Sequence, residues 1–101
     1  MSTILLVEDD VNTRTGLFEI LTEEGYHVES AEDGADALKI MESGIIDLLL
    51  SDLRLPDLSG LELHEKVKRV HPELITIIMT AYSFPEYRLH RCECHLRRAG
   101  S

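Results

Sequence analysis

The sequence has no tryptophan, two phenylalanines and three tyrosines among its 101 residues. Its core must therefore be built mainly from Leu, Ile and Val. No apolar run approaches the roughly 20 residues that span a bilayer, so no membrane association is expected. The opening Met1-Ser2-Thr3-Ile4-Leu5-Leu6-Val7-Glu8 lacks the basic region that precedes the apolar stretch of a secretory signal. A cytoplasmic location is expected, where the only two cysteines, Cys92 and Cys94, would not form a disulfide. His90 and His95 flank them, giving four soft donors within six residues. Structural zinc sites usually join two separated ligand pairs, so this spacing argues against a zinc site. Basic residues are scarce, 10 against 19 acids, and unevenly placed. Residues 1–84 carry 17 acids and 6 bases, whereas residues 85–101 carry 2 acids and 4 bases. An acidic body disfavours direct nucleic-acid binding, which needs cations to displace counterions. It aids solubility, and it suits a site that gathers a divalent cation.

A chain of this length forms one domain at most and buries roughly 60–65% of its unfolded surface. Thr3 to Val7 is a short apolar run ending in acids, as expected for a strand buried on both faces of a parallel sheet. A helix follows, with Asn12 or Asp10 as its cap, Leu17, Phe18, Ile20 and Leu21 on its apolar face, and Gly25 at its end. Tyr26 to Ala31 reads as a second strand, and Ala35 to Glu42 as a second helix with Ala37, Leu38 and Met41 inward. Ile45 to Ser51 is a third strand running into Asp52, followed by a loop broken at Pro56 and Gly60. Leu61 to Val70 is a third helix with Leu61, Leu63, Val67 and Val70 apolar, closed by His71-Pro72. Leu74 to Ala81 is a fourth strand. The alternation β-α-β-α-β-α-β implies parallel strands with right-handed crossovers, an α/β doubly wound parallel sheet. From Ser83 the pattern breaks, with no strand-like run, and the tail is expected to be disordered or loosely helical.

Folds of this kind place their sites at the carboxyl ends of the strands. Here the first strand ends in Glu8-Asp9-Asp10, the third in Asp52 and the fourth in Thr80. Carboxylates brought together there repel one another unless a cation is present. An oxygen-only ligand set with room for water favours Mg²⁺. Each residue alone has a plainer reading. Asp10 is a natural helix cap, and Thr80 an ordinary β-branched strand residue. The joint spacing carries the argument.

Ile4-Leu5-Leu6-Val7-Glu8-Asp9-Asp10, the stretch from Asp47 to Gly60 with its Leu55-Pro56-Asp57-Leu58-Ser59-Gly60 loop, and Ile77-Ile78-Met79-Thr80-Ala81-Tyr82 together resemble the receiver domains of two-component response regulators. The loop is similar in style to those of nitrogen-type, sigma-54-dependent transcription regulators. The resemblance covers residues 1–83. It implies the chemotaxis-regulator-like, flavodoxin-like strand order 2-1-3-4. It also implies that Asp52 accepts a phosphoryl group from the phosphohistidine of a sensor histidine kinase. Asp9 and Asp52 would ligate Mg²⁺ with the backbone carbonyl of Arg54, Glu8 would reach the ion through water, and Thr80 would bond the phosphoryl group.

The resemblance also implies elements that are missing: a fourth helix, a fifth strand ending in Lys-Pro, and a fifth helix. Lys39, Lys66 and Lys68 all precede the fourth strand, so the active-site lysine has no counterpart. Residues 1–83 are therefore expected to be an incomplete receiver, and 84–101 an unassigned, non-native tail such as a frameshift would produce. The fourth strand would then be an open edge, favouring a homodimer through Leu74–Ala81. Such a module accepts a phosphoryl group but is not an enzyme with turnover. Two alternatives are a degenerate receiver that binds partners without being phosphorylated, and a Mg²⁺-dependent phosphatase. The phosphatase would resemble Asp-x-Asp at the first strand end, unlike Glu8-Asp9-Asp10.

Overall fold

A computed structural model of the chain describes residues 2–81 and 87–91, with side chains over residues 2–79. The elements are β1 (Thr3–Val7), α1 (Val11–Glu23), β2 (His27–Ala31), α2 (Gly34–Ser43), β3 (Leu48–Asp52), α3 (Gly60–Val70), β4 (Ile75–Ala81) and β5 (Tyr87–Arg91). The strands form one sheet in the order β2-β1-β3-β4-β5. The first four are parallel, in the expected order 2-1-3-4.

Side chains alternate across the sheet, which separates two cores. Leu5, Val7 and Leu49 point to one face, where Ala37 and Met41 of α2 and Leu63 and Val67 of α3 cover them. Ile4, Leu6, Val28, Leu50 and Met79 point to the other, where Leu17 and Leu21 of α1 pack. Among the described residues, α1 is the one helix on that face, and none of its side chains is fully buried. An open groove of ≈ 460 Å³ lies beside α1, lined by Ile4, Leu21, Leu48, Leu50, Ile75 and Ile77, with other residues at its rim.

Several expected details move. Asp10, not Asn12, caps α1, its side chain accepting from the Thr13 N–H at 2.8 Å. Phe18 and Ile20 are exposed, because only Leu17 and Leu21 lie on the stripe facing the sheet. The helix ends as expected at Gly25, whose φ of 102° suits a residue without Cβ. The Gly25 and Tyr26 N–H groups donate back to Thr22 and Leu21 carbonyls at 3.0 and 3.2 Å, a Schellman ending. β3 starts at Leu48, not Ile45, because its first pair with β1 is Ile4–Leu48 and Ile45 lies beyond the sheet, 85% exposed. On α3, Leu63 and Val67 share the inward stripe, whereas Leu61 and Val70 fall off it and are exposed.

The tail differs more. No parallel fifth strand is present among the described residues, but Tyr87–Arg91 forms a strand antiparallel to β4, pairing Ile77–Ala81. A strand edge presents unpaired N–H and C=O groups, and here this chain's own backbone occupies them. The edge expected to be open at Leu74–Ala81 is thus covered from Ile77 to Ala81 by this chain itself. The Cys92, Cys94 and His95 donors lie outside the described residues. Among the described residues no helix is long and apolar enough to cross a membrane.

The unequal covering of the sheet predicts unequal mutational costs. Leu49→Ala, at a fully buried site, is expected to lower unfolding free energy by about 2–5 kcal/mol. Phe18→Ala, on the exposed flank of α1, is expected to cost under about 1 kcal/mol. Urea denaturation of both variants checks this; equal losses would contradict the packing described.

Candidate functional site

The parallel register of β1 and β3 builds the site. Val7 pairs with Ser51, so the next step along both strands sets Glu8 beside Asp52. Asp9 follows as the chain leaves the sheet. One carboxylate oxygen from each of Glu8, Asp9 and Asp52 lies within 4.8 Å of the other two. Glu8 is 2% exposed, Asp52 is half-buried and Asp9 is exposed. The site is an acidic pocket graded from buried to open.

Local bonds hold this arrangement. Glu8 Oε2 accepts the Asp10 N–H at 2.9 Å, and Arg14 Nη1 donates to the Glu8 carbonyl at 2.8 Å. The Glu8 N–H donates to the Ala31 carbonyl at 3.0 Å. Behind Asp52, the fully buried Ser51 hydroxyl donates to the Asp52 carbonyl at 2.9 Å. Gly60 sits against the same carbonyl so closely that a Cβ there would collide with it, and with nothing flexible to yield. The Leu53 N–H donates to the Met79 carbonyl of β4 at 2.9 Å, and the Gly60 N–H to the Leu53 carbonyl at 2.7 Å.

The electrostatics are those of carboxylates without a counter-charge. Burial pushes the Glu8 carboxyl up to about 7; the Asp10 N–H opposes this, and the charges of Asp52 and Asp9 add to it. Burial also raises Asp52, with the Asp9 charge in the same direction and the Leu53 and Arg54 N–H groups opposing. Glu8 Oε1 is buried and has no hydrogen-bond partner among the described residues. While both groups are ionised no donor faces that oxygen, whereas a proton on Glu8 could be shared with Asp52. A buried, unsatisfied carboxylate oxygen beside two more carboxylates fits a small hard cation held by oxygen ligands.

The expected residues divide clearly. Glu8, Asp9 and Asp52 come together. Asp10 stands apart as the α1 cap, its carboxyl lowered first by the Thr13 N–H. Arg54 follows Asp52 directly into the loop, where it bridges Ser59. Thr80 lies in β4 one residue past Met79, the register partner of Asp52, so it shares that end of the sheet. Sequence reasoning missed Arg14 and Ser51. Ser51 precedes Asp52 and reads as a plain strand residue, and only the fold shows that Arg14 reaches back to Glu8.

The chain matches the family model of the response regulator receiver domain over residues 4–98, and it belongs to that family. The transcriptional regulatory protein GlrR of Escherichia coli (strain K12) is 39% identical over 84 residues, covering 82% of this chain and 19% of that protein. The DNA-binding transcriptional regulator NtrC of Proteus hauseri is 41% identical over 80 residues, covering 79% of this chain and 17% of that protein. The chain therefore spans less than a fifth of the length of these curated relatives. Among solved structures, the response regulator TrrA of Thermotoga maritima in complex with Mg²⁺-BeF superposes with a TM-score of 0.78 at 42% identity, covering 82% of this chain and 72% of that one. A complex of TrrA with the histidine kinase ThkA matches with a TM-score of 0.76 at 41% identity, covering 85% and 74%.

The raised Glu8 carboxyl predicts a pH dependence. The folded chain holds a proton on Glu8 that the unfolded chain releases near 4.5, so this contribution to stability is complete below about 4.5 and is lost as pH rises through about 7. In metal-free protein the melting temperature is expected to fall across that window, and Glu8→Gln to flatten the fall. Mg²⁺ should restore stability at the upper end, with a rise that grows with its concentration. Thermal scans with and without EDTA check both signs.

Proposed function

We propose that the chain is the phosphoacceptor module of a two-component phosphorelay, with Asp52 as the residue phosphorylated by a sensor histidine kinase. The observation that carries this reading is the placement of Asp52 at the end of β3 beside Glu8 and Asp9, within 4.8 Å ligand-atom spacing. In the reaction an Asp52 carboxylate oxygen attacks the phosphorus of a phosphohistidine. The new P–O bond forms as the P–N bond breaks, and the imidazole leaves and takes up a proton. Glu8, Asp9, Asp52 and the Arg54 carbonyl would hold Mg²⁺. The ion supplies the charge neutralisation on which phosphoryl transfer depends. The chain's own contribution is to orient Asp52 through β3, Ser51 and Gly60. Thr80 is assigned to bond the phosphoryl group from the neighbouring strand end.

The Mg²⁺-BeF complex and the kinase complex of TrrA support the cation and the partner by similarity. Likeness to GlrR and NtrC supports a role in transcription regulation, without this module itself binding DNA. We place it in the cytoplasm, as a signalling module without turnover. We also read residues 1–83 as the receiver unit and 84–101 as a continuation foreign to it, which the coding nucleotide sequence tests.

Incubation with acetyl phosphate and Mg²⁺ is expected to add one phosphoryl group, read by intact-protein mass spectrometry. EDTA should abolish the addition, as should Asp52→Asn. The same variant should melt at a higher temperature than the parent without metal, because it removes one of the mutually repelling carboxylates. Phosphorylation that persists in Asp52→Asn would place the acceptor elsewhere, and its absence in the parent would favour an interaction module that is not phosphorylated.

A further inference from the structure

The loop after Asp52 is a flattened hairpin. The Arg54–Ser59 bridge and the Leu55 N–H to Leu58 carbonyl bond at 3.3 Å cross it, and the Gly60 N–H closes its base on Leu53. Its tip, Pro56-Asp57-Leu58, is exposed at Pro56 and Asp57 yet tied to the body of the fold. Asp57 reaches the amino end of α2, where Oδ1 accepts the Gly34 N–H and Oδ2 the Ala35 N–H, each at 2.9 Å. Leu58 packs at the same point, its Cγ and Cδ2 both 2.8 Å from where a Cβ on Gly34 would lie.

The first turn of a helix leaves four N–H groups without helical acceptors. In α2 a local residue and a remote one divide the cap. Asp33 takes the Asp36 N–H on its side chain at 2.9 Å. Its carbonyl begins the helical ladder by accepting the Ala37 N–H. Asp57, 23 and 22 residues further along, takes two more, those of Gly34 and Ala35. The Gly34 and Ala35 N–H groups hold the Asp57 carboxyl below its usual range, so the contact stays ionic at any neutral pH.

We propose that Asp57 is a positioning residue: it ties the acceptor loop to the amino end of α2 and thereby pre-sets the Arg54 carbonyl for the cation. This rests on the reading of Glu8, Asp9 and Asp52 as a cation site. Arg54 lies on the strand of the hairpin that leaves Asp52, three residues before the tether. With the base closed on Leu53 and the tip fixed on α2, the backbone between them has little freedom to turn its carbonyls. Preorganised supporting contacts of this kind raise metal affinity without touching the metal.

The test compares Asp57→Ala with Asp33→Ala. Both remove caps from the same helix, but only the first frees the loop. Mg²⁺ affinity, measured by calorimetric titration of the full chain, is expected to weaken about tenfold in Asp57→Ala, the lower end of the range for supporting contacts. It should be unchanged in Asp33→Ala and intermediate in Asp57→Asn, which keeps one acceptor oxygen. Unchanged affinity in Asp57→Ala, or equal losses in both alanine variants, overturns the proposal. If the parent chain binds no Mg²⁺, the cation reading has failed and with it the role toward Arg54. The tether is then judged in the metal-free protein by amide exchange at Leu55 and Gly60. Faster exchange in Asp57→Ala alone upholds it, and equal rates in all chains remove it.

Discussion

The parallel pairing of β1 with β3 is the constraint on which the site depends. A strand has a side-chain period of two, so a slip of one residue would turn Glu8 or Asp52 to the opposite face. The observed register keeps both strands buried on two sides and carries Ile4, Leu6 and Leu50 into one core and Leu5, Val7 and Leu49 into the other. The hydrophobic cores therefore determine which carboxylates meet. The repulsion that results is sustained by packing energy drawn from residues that do not touch the site.

The repulsion is also graded. Glu8 is buried and protonates near neutrality, Asp52 is half-buried, and Asp9 faces water. A cation held by these three groups would compete with the proton that burial favours on Glu8. Any metal affinity of this site would therefore be coupled to its proton affinity, each falling as the other is satisfied.

Much of this was legible in the sequence. Runs such as Ile4-Leu5-Leu6-Val7 and Leu48-Leu49-Leu50 mark buried parallel strands without ambiguity, and the acids that follow them fall at one edge of any such sheet. The helix faces were harder. Phe18, Ile20, Leu61 and Val70 satisfy an apolar pattern yet lie off the stripe that meets the sheet, because periodicity gives a face and not its width. Ile45 and Ile46 lengthen an apolar run beyond the point where β1 can pair with it. The supporting contacts were the least legible. Arg14 to Glu8 and Asp57 to Gly34 join residues whose types are common in loops and helices, and only the fold brings them together; Ser51 and Asp52 are neighbours, but the bond between them is not written in their types. The strand at Tyr87–Arg91 was hidden because its composition carries no strand signal; its pairing answers the needs of the β4 backbone.

The covering of the sheet by two helices on one face and one on the other has a mechanical meaning. The α2–α3 side is a filled layer of buried side chains, and the acceptor loop is tied into it through Leu55, Leu58 and Asp57. The α1 side is thinly packed and borders an open groove. Among the described residues the sheet is therefore packed deeply on one surface and lightly on the other. Were a change of charge at Asp52 to shift β3 or β4, the α1 side, where no helix residue is fully buried among those described, would have the less packing to give up.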